Sequence, residues 1–209
     1  LVQKSSSGVA SPCRTNCVLS ASTRLAGKLL HKYLIQFMRF RVAIQSDAQA
    51  IASLHAASWR IAYRGLLSDE YLDGNVVSER TAMWEESFRT PSNNQYVVVA
   101  EVGPQIVGFA CAYGDDDPHW GTLLDNLHVD DKQKRQRVGA RLMAHVAAWC
   151  SSAYPNNGLY LWVLKPNVSA RRFYEHLNGV NVGEDVWFPP GGGEIPKLRY
   201  AWRHLDVLL

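Results

Sequence analysis

The chain has 209 residues, 47% of them hydrophobic, enough for one α/β domain with a full core. The net charge of +3 is unevenly placed: residues 1–46 hold seven Lys/Arg and no acid, and the rest holds 15 basic against 19 acidic residues. The main body is therefore mildly acidic, which gives no case for nucleic-acid binding, and no apolar run approaches the roughly 20 residues that span a bilayer.

Residues 1–37 contain Ser and Arg, lack acids and resemble a transit peptide in composition. Met38 stands immediately before the first expected strand, so this segment is read as a leader, processed or non-native. Its last part, residues 22–37, also fits a helix with an apolar stripe of Leu25, Leu29, Leu30, Tyr33, Leu34 and Phe37. Such a stripe would dock on the domain or on a second subunit, which leaves a homodimer open. Cys13 and Cys17 lack a second ligand pair, so no metal site is expected. Cys111 and Cys150 read as core thiols, and a cytoplasmic location is expected.

From residue 38 the elements alternate. Residues 39–44 read as a strand, and Ser46 with Gln49 forms a capping-box signature for a helix carrying Ile51, Leu54, His55 and Trp59. A loop with a short helix comes next, through Leu72, and then a helix over about 78–89 with Met83, Trp84 and Phe88. Residues 96–102 and 105–113 make a hairpin around Gly103-Pro104, and residues 122–129 form a further strand. Next comes Lys132-Gln133-Lys134-Arg135-Gln136-Arg137, four cations in six residues, running into a helix with Val138, Leu142, Val146 and Trp149 on one face. A helix N-terminus offers unpaired N–H groups and partial positive charge, so this junction suits a phosphate or pyrophosphate. Gly139 lets a ligand approach the backbone.

Residues 158–164 read as a buried strand. Asn167 then caps a helix with Ala170, Phe173, Tyr174 and Leu177 inward, ended by Gly179. Strands over about 182–188 and 198–205 flank a Pro-Gly loop at 189–193. No internal repeat and no second domain are visible.

Two of these segments resemble the motifs of the GNAT superfamily of N-acetyltransferases. Lys134 to Gly139, continuing into Ala140, resembles the acetyl-CoA loop Q/R-x-x-G-x-G/A, with Lys134 for Gln/Arg and Arg137 for the first Gly. Asn167 to Gly179 resembles N-x-x-A-x-x-F-Y-E-x-x-G, with Asn178 as one extra residue. The resemblance runs from Phe40 to about Leu205. It implies an α/β (mixed α+β) fold: a mostly antiparallel sheet splayed at the cofactor site, with helices on both faces. It also implies acetyl-CoA as co-substrate and an amine as acceptor. Lys134, Arg135, Gln136, Arg137, Val138, Gly139 and Ala140 would hold the pyrophosphate. Leu127, His128 and Val129 would offer main-chain groups to the pantetheine arm, and Asn167 and Tyr174 would lie along it.

Acetyl transfer needs an amine without its proton, a thioester in line and an acid for the leaving thiolate. Tyr174 is the family-matched acid. The Glu that many members use as base falls at Leu123, which makes Asp125 the nearest acid, expected on the strand face of Leu123 and Leu127. The segment His55, Trp59, Tyr63, Arg64 resembles H-x-x-S-W-R-x-x-Y-R-G of bacterial members, so Trp59 and Tyr63 are candidates to box an amine. The expected activity is direct acetyl transfer to a primary amine in a ternary complex. The alternatives are a CoA-binding module without catalysis and a protein or peptide acetyltransferase.

Overall fold

Seven strands form one sheet in the order β1-β2-β3-β4-β5-β7-β6 among residues 38–190 and 193–209, which the computed structural model describes. The expectations for residues 1–37, including Cys13, Cys17 and the apolar stripe, lie outside the described residues. The strands are β1 (Met38–Val42), β2 (Gln95–Val102), β3 (Gln105–Asp117), β4 (Gly121–Val129), β5 (Leu159–Leu164), β6 (Val180–Trp187) and β7 (Ile195–Trp202). Every pairing is antiparallel except β4 with β5.

The helices are α1 (Ala48–Ala62), α2 (Asp69–Asp73), α3 (Val76–Arg89), α4 (Val138–Ala153) and α5 (Val168–His176). Alternation in β3 assigns them to faces. Phe109 and Cys111 pack with Ile51 of α1 and Trp84 of α3, whereas Ala110 and Ala112 pack with Leu142, Met143 and Val146 of α4. Phe173 and Tyr174 of α5 join the α4 side. The expected mixed sheet with helices on both faces is therefore present.

The entry to α1 differs from the expected Ser46 cap. Asp47 holds the N-cap position without a side-chain cap, its carboxylate instead accepting the Ile44 N–H at 2.8 Å and the two terminal Arg41 guanidinium nitrogens at 2.6 and 2.9 Å. Arg41 also donates to Glu101 at 2.8 Å, tying β1, β2 and α1 together. The Arg41 guanidinium holds the Asp47 carboxyl below the usual carboxylate range.

The exit from α5 differs too. Asn178, not Gly179, takes the left-handed conformation (φ 63°), and the Gly179 N–H closes the turn on the Tyr174 carbonyl at 2.8 Å. Gly179 is needed for space, since a Cβ there would lie 2.6 Å from the Trp202 ring.

Candidate active site

The parallel pairing of β4 with β5 stops after Thr122 opposite Leu159 and Leu123 opposite Tyr160. Beyond it β4 stays paired with β3 as far as Val129, and β5 stays paired with β7 as far as Leu164. The two strands therefore part, and the β5-facing edge of β4 loses its ladder partner. This is the splay expected of the sheet. It opens into a cleft of about 1790 Å³ whose wall includes Leu127, His128 and Val129.

The start of α4 forms the next part of the wall. Its first intrahelical bond runs from the Arg141 N–H to the Arg137 carbonyl at 3.0 Å. The N–H groups of Val138, Gly139 and Ala140 thus have no intrahelical acceptor. Arg137 occupies the N-cap with φ 61° and ψ 13° and makes no side-chain cap. Arg135 is also left-handed, with φ 64°. Left-handed backbone followed by helix turns successive N–H groups toward one point, a concavity suited to an anion. The position where the family motif carries Gly is one that a Cβ strains, and Arg137 accepts that strain.

Two loop residues also meet groups within the protein. The Lys134 ammonium is engaged by Asp131 at 2.7 Å, an acid just outside the cation run. A Cβ on Gly139 would meet the Phe173 ring at 3.2 Å, so this glycine lets α5 pack against α4. Lys134, Arg135, Arg137, Val138, Gly139 and Ala140 all line the cleft. Gln136 instead turns its amide back to the Lys132 carbonyl at 3.3 Å.

At the α5 end the Asn167 side chain accepts the Ala170 N–H at 3.1 Å, the cap expected from the sequence. One turn further on, Tyr174 reaches the cleft between Phe173 and the floor of the sheet. Burial, reinforced by nearby Tyr63, pushes its phenol above the ordinary range, so it stays protonated at neutral pH.

Asp125 lies in the cleft, on the face of Leu123 as expected but not on that of Leu127. Cys111 faces Asn126 and Ala112 faces Leu124, which leaves Asp125 as an extra residue in a β-bulge. Leu124 and Leu127 consequently both pack toward α4. Asp125 turns toward α1 and α3, where its charge acts on Tyr63 and Tyr113. The carboxylate is reachable by solvent through the cleft, yet the surrounding protein desolvates it and raises its pKa. Asp116 adds to that rise, and Arg80 opposes it.

The α1 side supplies an aromatic wall. Trp59 and Tyr63 meet at 5.1 Å between ring centres, and Trp187 of β6 completes the group at 5.9 and 6.0 Å from them. Nothing in the local sequence around Trp187 marks it for the site; only the folding-back of the last strands brings it here. Arg64 leaves the site, pairing with Asp69 and Asp73 at 2.7 Å each.

His55 is buried, accepting the Trp84 indole N–H at 3.1 Å, and its ring lies 4.5 Å from that of His128. Burial pulls His55 down to about 2 and His128 to about 4, so both are neutral at pH 7. Cys111 and Cys150 are buried away from the cleft, and burial pushes the Cys111 thiol up to about 12. Among the described residues no cluster of three His, Cys, Asp or Glu is placed to hold a metal, and no helix is long and apolar enough to cross a membrane.

Residues 59–179 match the sequence model of the Acetyltransferase (GNAT) family. The chain is 29% identical over 171 residues to a probable N-acetyltransferase of Mycobacterium tuberculosis, covering 78% of this chain and 92% of that protein. It is 24% identical to an uncharacterized N-acetyltransferase of Bacillus subtilis, over 80% of this chain and 94% of the other. Its fold is similar to that of the PaiA N-acetyltransferase of Thermoplasma acidophilum, solved in complex with coenzyme A. The TM-score there is 0.58 at 18% identity, over 77% of this chain and 97% of that one.

Proposed function

This chain belongs to the GNAT acetyltransferase family and is an acetyl-CoA-dependent acetyltransferase, and from that premise we propose that residues 38–209 transfer the acetyl group to a primary amine by direct attack in a ternary complex. One observation carries the reading: the open start of α4, the unpaired edge of β4, Asp125 and Tyr174 all converge on a single cleft.

Bound acetyl-CoA would supply the activated thioester. The residues fit it, because the N–H groups of Val138, Gly139 and Ala140 present partial positive charge to a pyrophosphate. Leu127 and Val129 offer main-chain groups along the splay, and Asn167 fixes the start of α5 beside them. Asp125, with its raised pKa, takes the proton from an acceptor ammonium. Tyr174, held protonated by burial, gives a proton to the departing thiolate. Trp59 and Tyr63 hold the amine's apolar stem and its charge. Buried thiols outside the cleft support direct attack over a covalent acetyl-enzyme. A cytoplasmic location, which suits the free thiols of Cys111 and Cys150, belongs to the same proposal.

The test monitors CoA thiol release from acetyl-CoA across a panel of small amines and peptides. Turnover with small amines is expected, with kcat/KM rising with pH through a pKa above the ordinary carboxylate range, a limb that Asp125→Asn removes. Acetyl-CoA binding with no turnover on any acceptor would reduce the protein to a binding module. Turnover on peptides alone would make it a protein acetyltransferase.

A further inference from the structure

One enclosed cation of the cleft has no hydrogen-bond partner among the described residues. Arg80, on α3, lines the cleft with a side chain only 14% exposed, its guanidinium carbon 4.5 Å from the Trp59 ring centre. Among the described residues it makes no hydrogen bond, and its Nε is buried without an acceptor. The nearest carboxylate, Glu79, lies 3.9 Å away and already accepts the Tyr71 hydroxyl at 2.6 Å.

Other cations of the cleft are placed differently. Lys134 is held by Asp131 at 2.7 Å and Lys197 by Asp185 at 3.0 Å, while Arg135 and Arg137 are open to solvent. An enclosed guanidinium with unmet donors is costly unless an anion meets it. A planar guanidinium also matches carboxylate and phosphate oxygens two at a time. Its seat on Trp59, which meets Tyr63, places it in the aromatic wall of the acceptor side, and its charge acts on Asp125 and Tyr63.

Resting on the acetyltransfer reading above, we propose that Arg80 receives an oxyanion of the acceptor. The substrate is then a small primary amine that carries its own carboxylate or phosphate, with the amine directed to Asp125 and the anion to Arg80. Trp59 lies beneath the guanidinium and holds it in place.

The experiment compares matched acceptors that differ in one charge: α-amino acids against their carboxamides, and phosphoethanolamine against ethanolamine. Initial rates of CoA release are measured for the unmodified chain and for Arg80→Met and Arg80→Lys. The unmodified chain should favour the anionic member of one pair type by ~10–100-fold in kcat/KM, the range for a charge-assisted hydrogen bond. Whichever pair type shows the preference identifies carboxylate or phosphate. In Arg80→Met the ratio should fall to about one through the KM of the amine, and Arg80→Lys should keep part of it. Equal rates within both pair types in the unmodified chain would overturn the proposal while leaving acetyl transfer intact. So would a preference that survives Arg80→Met, or an Arg80→Met effect confined to the KM of acetyl-CoA. Binding of acetyl-CoA with no turnover of any amine would instead remove the acetyltransfer reading, and this one with it.

Discussion

Two helices, α4 and α5, begin on the same cleft, and their N-termini are built in opposite ways. The start of α5 is closed by its own chain, through Asn167 and the Ala170 N–H. The start of α4 is left open, with Arg137 in a left-handed conformation and no side-chain cap. A capped terminus holds the next turns of its helix in place, and in α5 those turns carry Tyr174. An uncapped terminus keeps its N–H groups and partial charge for a ligand. In the proposed mechanism chemistry thus sits on the closed helix and cofactor binding on the open one. The contrast extends across the molecule: the Arg41–Asp47–Glu101 group at β1 and α1 is fully paired, whereas Arg80 in the cleft is not.

The largest effect should come from the chemical side. Tyr174→Phe keeps the ring and its packing but removes the proton, and general acid catalysis supplies about 10²–10⁴-fold. The turnover number should fall by a part of that, with acetyl-CoA affinity held, in assays where chemistry limits the rate. Unchanged turnover would return Tyr174 to the core and erase the division between the helices.

Gly139→Val attacks the open side. The new side chain presses on Phe173, and overpacking of this kind costs about 1–3 kcal/mol. A lower Tm should accompany weaker acetyl-CoA binding by calorimetry, far beyond the effect of Lys132→Ala on the exposed loop. Equal, small changes from both would misplace the pyrophosphate.

Asn167→Ala removes the cap of α5 and should cost roughly 1 kcal/mol, read as a shift in urea midpoint. Turnover should suffer more than acetyl-CoA affinity, because the cap positions Tyr174. A loss seen only in affinity would mean that Asn167 serves the cofactor more than the helix.

The smallest change has the opposite sign. Arg137→Gly relieves a left-handed side chain and should stabilise the fold by about 1 kcal/mol. If acetyl-CoA binds less tightly at the same time, the Arg137 side chain touches the cofactor; if binding holds, Arg137 is strain alone. A loss of stability would show that Arg137 packs usefully where it stands.

Much of this was legible in the sequence, because it depends on neighbours in the chain. Period-two and period-3.6 patterns located the strands and helices, and the Asn167 cap and the α4 junction arise from residues within one turn of each other. The features that escaped depend on contacts between distant segments. The bulge at Asp125 exists only in the register of β4 against β3, so alternation along β4 alone put Leu123, Asp125 and Leu127 on one face, whereas the bulge sends Leu127 to the other. Trp187 and Arg80 reach the cleft because both pack on Trp59 of α1, from β6 and from α3, across intervening segments of chain. Asp131 pairs with Lys134 through a turn that a charge count cannot see. The sequence by itself determined the elements, their order and the open helix start. Only the tertiary structure decided which charged groups find partners inside the protein and which are left facing the cleft, since pairing is a property of space and not of spacing.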